Sequence, residues 1–279
     1  MENRIQYRYF IHLAYSGTPF HGWQSQENAS SIQVTLSEAL STLLHRPVPI
    51  TGAGRTDTGV HATQFFAHFD NPEILTLENR KDLVYHLNGY LPPEIAIREI
   101  LPVMPEAHAR FSALSRTYKY FIAREKDPFL KDMAYFYTGP MDLGRMNLGA
   151  LIIRDTTDFT SFAKLPCDTK TNICHVTEAF WQKKGQMLIF TITADRFLRN
   201  MVRAITGTLI DLGRGRIDFD GLKKIIETKD RRSAGYSVPA QGLFLVSVKY
   251  PEEIFLKESY DPKDTHTDSK DASGQAESH

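Results

Sequence analysis

Cysteine is nearly absent from this chain: its 279 residues include only Cys167 and Cys174. Six residues separate them, a spacing that fits neither a disulfide framework nor a paired zinc site, so both are expected to be reduced thiols. Long hydrophobic runs are missing too. The opening MENRIQYRYFIHLAYSG holds no apolar stretch of signal-peptide length, and no segment approaches the roughly 20 residues that cross a bilayer. A cytoplasmic protein without a membrane segment is expected. Net charge is also lacking, with 33 Lys and Arg against 33 Asp and Glu, and no repeat of fixed period is visible. What is present, 42% hydrophobic and 24% charged residues, excludes a fibrous or wholly disordered chain and suffices for one large domain or two ordinary ones.

The zero balance conceals an uneven distribution. Residues 251–279 carry eight acidic and three basic side chains, which leaves residues 1–250 at net +5. A mildly basic body is compatible with a polyanionic partner. The tail, poor in apolar residues beyond Ile254, Phe255 and Leu256, reads as disordered.

Tyr7–Tyr15 is aromatic and aliphatic and ends at the turn cluster Ser16-Gly17-Thr18-Pro19, so it reads as a strand. Ile32, Leu36, Ala39, Leu40 and Leu43 recur at helical spacing, predicting a helix from about Ser31 to His45, with Ser30 and Gln33 as a capping box. Val48–Gly52 and Gln64–Phe69 read as strands around a loop at residues 53–63. A second set of strands begins near Arg116, where Tyr118, Tyr120 and Ile122 share a face, and continues through Met187–Thr193 to Leu243–Tyr250. A helix is expected over Arg196–Leu212, with Arg196, Arg199 and Arg203 on one side. That face suits either solvent or a phosphate backbone.

Gly52-Ala53-Gly54-Arg55-Thr56-Asp57-Thr58-Gly59-Val60-His61 is the segment richest in chemistry. It lacks the third glycine of a dinucleotide fingerprint, where Asp57 stands, and the lysine of a phosphate loop, where Val60 stands. Asp57-Thr58-Gly59 matches the triplet of aspartic proteases, but these need two such carboxylates sharing a proton, and Arg55 nearby would favour the ionised form. A glycine-rich turn with Asp57 capping backbone amides is the structural alternative. The functional reading rests on one acid bracketed by Arg55 and His61 in a loop whose glycines allow close approach, with the carboxylate serving as nucleophile or electrostatic stabiliser.

Six segments in order, YSGTPFHGWQ (15–24), GRTDTGVHA (54–62), HARFSALSRTYKY (108–120), DFTSF (158–162), FLRNMVRAITGTL (197–209) and GLFLVSV (242–248), carry a resemblance to the tRNA pseudouridine synthase A family. It spans most of residues 6–250. The family's loop most often has alanine where Thr58 stands, and the acidic tail has no counterpart. The resemblance implies an α/β fold of two domains, 1–111 and 112–250, with mixed or antiparallel sheets around a basic cleft. It also implies a homodimer, no cofactor or metal, and a tRNA anticodon stem-loop substrate in which uridines at nucleotides 38 to 40 become pseudouridine.

By the same resemblance Asp57 is the catalytic carboxylate, and Tyr118 stacks on the target uracil. Arg55 meets the displaced phosphate or fills the space left by the extruded base, Arg203 orients Asp57 through an ion pair, and Leu243 walls the uracil slot. His61, Arg116, Arg196 and Arg199 are further candidates for substrate contact. Attack on ribose C1′, attack on uracil C6 and a glycal-like route are all open to such a carboxylate. A non-catalytic tRNA-binding protein or chaperone with the same cleft is the competing reading.

Overall fold

Residues 6–26, 29–164 and 171–257 are described in the computed structural model of the chain. Cys167 and the tail beyond residue 257 lie outside them. The aromatic and aliphatic run at Tyr7–Tyr15 forms β1, as its composition predicts. Helix α1 spans Ile32–Leu43 and buries Ile32, Leu36, Ala39 and Leu40, the positions read from the periodicity. Its N-cap is Ser31, whose hydroxyl accepts from Val34 N, and not Ser30. Ser30 donates instead to the Pro19 carbonyl, and the Gln33 amide reaches out to Ile50 O and Ser25 N, so no capping box forms.

Strand β2 is reduced to Thr51–Gly52, and β3 runs over His61–Asn71. The intervening loop is therefore residues 53–60, shorter than expected, because His61 and Ala62 are drawn into pairing. Helix α2 (Leu77–Tyr90) and β4 (Ile95–Val103) complete the first half. The second half comprises β5 (Ser115–Ala123), β6 (Tyr135–Phe136), α3 (Leu143–Arg154), β7 (Val176–Lys184), β8 (Met187–Ala194), α4 (Met201–Gly213), α5 (Phe219–Thr228) and β9 (Leu243–Lys249).

These strands form one mixed sheet in the order β4-β1-β3-β9-β5-β8-β7, with β2 on β3 and β6 on β5. Antiparallel pairs dominate. The seam between the halves is a short parallel pairing, His61 with Phe244 and Ala62 with Leu245, so the last strand stands in the middle of the sheet. Two hydrophobic clusters lie along it. One gathers Phe10, Leu13, Trp23, Leu36 and Phe65 with Leu245 and Val248. The other gathers Tyr120, Phe162, Phe190, Ile205 and Leu209 with Leu243. The first cluster is built mainly from residues before 111 and the second mainly from residues after it, with β9 contributing to both.

Two expectations are corrected. The helix read over Arg196–Leu212 begins only at Met201, because Asn200 adopts a left-handed conformation (φ 65°) and Asp195 Oδ1 caps the Arg196 N–H at 2.7 Å. Arg196 and Arg199 thus precede α4 and do not share a helical face with Arg203. Helix α4 is buried along almost its whole length rather than amphipathic. The chain also stays ordered past residue 250: Leu256 N donates to Pro102 O, and the Phe255 ring packs edge-on against Phe10. Among the described residues no helix is long and apolar enough to cross a membrane.

Candidate active site

Asp57 stands on the loop between β2 and β3, held by the segment that follows β1. Trp23 N donates to Thr56 O (3.3 Å), and Gly59 N donates to Phe20 O (3.4 Å). Gly22 adopts φ +90°, and a Cβ there would lie 2.3 Å from Thr56 O, so only glycine permits this approach. The Thr56 hydroxyl is hydrogen-bonded to the buried Tyr15 hydroxyl (3.0 Å), while Val60 N donates to Asp57 O (3.1 Å) and closes a tight turn. The backbone is tied on both sides of the acid, and its side chain keeps 27% of its surface open.

Arg203, in the first turn of α4, donates from Nη1 to Asp57 Oδ2 at 3.3 Å. Its Nε donates to Val238 O at 2.8 Å, and Val238 N returns a bond to Arg203 O. The guanidinium is thus fixed by a backbone carbonyl before it meets the carboxylate. A partly buried ion pair of this kind adds little net stability but defines orientation. Val238 in turn lies on a loop held by Asn200 and Arg231, both of which donate to Ser237 Oγ at 2.7 Å.

Tyr118 lies in β5 at an interruption of its pairing with β9. The register jumps from Thr117 with Ser247 to Tyr118 with Leu245, leaving Val246 as an extra residue. Such bulges re-aim side chains and often sit beside sites. The Tyr118 ring meets the edge of Phe197 at 5.1 Å. Burial pushes its hydroxyl up to about 12; Arg116 opposes this and the Asp57 charge adds to it. At neutral pH it is an uncharged aromatic face near the carboxylate.

The remaining candidates fall in different places. Arg55 is exposed on the Asp57 loop. Leu243, 5% exposed, opens β9 opposite Tyr120 and belongs to the second cluster. Arg116 is occupied by the protein itself: it donates to the carbonyls of Ala53, Ala113, Asp195 and Arg110, and burial lowers its pKa. It clamps three loops together. His61, 1% exposed, stacks on Phe244 at 4.4 Å and accepts from Gly17 N through Nδ1 at 3.2 Å. Burial lowers its pKa, so it is a neutral packing residue inside β3. Arg196 is half-buried near Cys174, and Arg199 is exposed in the turn before α4.

Asp57, Arg203 and Tyr118 are therefore brought together from three elements, with Arg116 behind them. Sequence reasoning missed Thr56, Tyr15, Phe197 and Val238. The glycines of YSGTPFHGWQ were the only local signal for the first two; Val238, the backbone partner of Arg203, and Phe197, the ring against Tyr118, left none.

Comparison with known proteins follows the same lines. A family model described as "tRNA pseudouridine synthase" matches residues 156–251, which include Arg203 and Leu243. The chain is 53% identical to the tRNA pseudouridine synthase A of Parabacteroides distasonis, over 89% of this chain and 98% of that protein. It is 51% identical to that of Bacteroides thetaiotaomicron (90% and 94%) and 36% identical to that of Shewanella amazonensis (89% and 95%). Matches of this reach necessarily take in the Asp57 loop as well as α4 and β9, and by them the chain belongs to the tRNA pseudouridine synthase A family.

Proposed function

We propose that this protein is an isomerase that converts uridine to pseudouridine at nucleotides 38, 39 and 40 in the anticodon stem-loop of tRNA, with Asp57 as its nucleophile. Family membership supports the reaction and its tRNA substrate. The observation that carries the site is the Asp57–Arg203 pair at 3.3 Å, in which the guanidinium is anchored on Val238 O. A protein that merely bound RNA would have no use for a carboxylate held in this way, since an acid repels phosphate.

In this reaction the bond from uracil N1 to ribose C1′ breaks, and one from C5 to C1′ forms. C5 loses a proton and N1 gains one, so neither redox equivalents nor an external group enters the balance. The target base must leave its stack to reach the carboxylate. Tyr118 offers the uncharged face on which it stacks, Arg55 on the exposed loop takes the displaced phosphate or the vacated space, and Leu243 closes the apolar side of the slot. Arg203 is a positioning residue: it touches Asp57 and through it sets the direction of attack. We take the protein to work as a homodimer in the cytoplasm, where its tRNA substrate is found.

The test is release of tritium from tRNA transcribed with 5-tritiated uridine, comparing the wild type with Asp57→Ala. The wild type is expected to release tritium. The variant should release none while keeping its fold and most of its tRNA affinity. No release by wild-type protein would overturn the isomerase reading and favour a non-catalytic tRNA-binding role.

A further inference from the structure

The segment from His108 to Leu114 is tied at nearly every position. Ala109 N donates to His68 Nδ1 (3.2 Å), and Arg110 N and Phe111 N both donate to His108 Nδ1 (3.1 and 3.3 Å). His108 N donates to Ser112 Oγ, Ser112 N returns to His108 O, Tyr250 OH donates to Ala109 O, and Leu114 N donates to Lys249 O. These bonds fix the backbone, yet the side chains they present are apolar: Phe111 is 74% and Leu114 60% exposed. A rigid loop holding a large aromatic in water calls for a partner.

The rings behind Phe111 form a column. Phe10, fully buried in the first cluster, stacks on His68 at 6.2 Å; His68 meets His108 edge-on at 4.7 Å; His108 lies 4.4 Å from Phe111. Burial foremost, and then the Arg8 charge, lower the pKa of both histidines, so the column is neutral. At its outer end the Arg110 guanidinium lies 5.4 Å from the Phe111 ring centre. The column is also linked to the site. One guanidinium, that of Arg116, donates both to Arg110 O and to Ala53 O, which binds this loop to the one carrying Asp57.

We propose that Phe111 is a stacking platform for an unpaired nucleotide of the substrate RNA next to the target uridine, with Arg110 meeting the phosphate beside that nucleotide. The proposal rests on the isomerase reading and goes beyond it by naming a second point of RNA contact. A largely exposed aromatic with a guanidinium over its ring suits a base and its phosphate, whereas an apolar protein surface would have no use for the guanidinium.

The test uses full-length wild type, Phe111→Ala and Phe111→Trp, with fluorescein-labelled anticodon stem-loop RNA and a fully paired duplex of equal length. Anisotropy should show stem-loop binding weakened about tenfold or more by alanine and restored by tryptophan, with duplex binding within about twofold. KM in tritium release should rise by the same factor. Unchanged stem-loop affinity, or equal losses on both RNAs, would overturn the proposal. So would sedimentation showing that alanine splits a wild-type dimer, which would assign the patch to a second copy. If the wild type releases no tritium while Phe111-dependent stem-loop binding persists, the isomerase reading falls and the platform stands.

Discussion

At the residue scale the site depends on one guanidinium with two unlike partners. Arg203 meets Val238 O through Nε and Asp57 through Nη1, and a lysine has only one nitrogen with which to do both. Arg203→Lys should therefore keep the charge but lose the angle. We expect kcat for tritium release to fall on the order of 10²-fold with KM little changed; an unchanged kcat would mean the pair does not position the acid. Asp57 could be singled out in the sequence as one acid among glycines between Arg55 and His61, but a backbone-capping turn explained it equally well until the family resemblance was added. Arg203 could be paired with it only through family resemblance, since 146 residues separate them. Its anchor was illegible altogether: Val238 acts through its carbonyl, and any residue at that position would supply one.

At the element scale, α4 is the part most sensitive to small changes. A Cβ at Gly207 would lie 1.9 Å from Tyr236 O, so the helix and the loop leading to Val238 meet backbone to backbone. Alanine normally gains up to about 1 kcal/mol over glycine inside a helix. Here the clash outweighs that gain, and Gly207→Ala should destabilise the protein by about 1–3 kcal/mol. Thermal unfolding should show a lowered Tm, and tritium release a lowered kcat, because the loop that moves also holds Arg203. An unchanged Tm would show that the contact is easily relieved.

Elements built from alternating or strongly periodic apolar residues could be read directly: β1, β5, β8, β9 and α1 emerged close to their expected bounds. Others gave no such signal. In α2 the buried positions Arg80, Leu83 and Leu87 have helical spacing, but only two of them are apolar, and the alternation in β7 is broken by a register shift at Thr177. The start of α4 was misread because Phe197 and Leu198 continue the apolar period into a turn that Asn200 sets. Periodicity reports which residues are buried, and a buried turn beside a helix looks the same.

At the scale of the whole molecule, the zero net charge is the sum of a basic body and an acidic tail. Binding to tRNA should depend on the body's arginines and lysines, and affinity should fall about tenfold or more between 0.05 and 0.2 M salt even if only about two phosphates are neutralised. A flat response in a filter-binding titration would exclude charge-driven docking. The order of the strands has a different consequence, one of timing. Because β9 is the last strand among the described residues yet lies between β3 and β5, the two halves of the sheet cannot join until it has been made. Asp57 is made early and Arg203 much later, and the strand that joins their halves comes last. A chain that ends before Lys249 should therefore leave the halves carrying Asp57 and Arg203 unjoined, and is expected to release no tritium from tRNA.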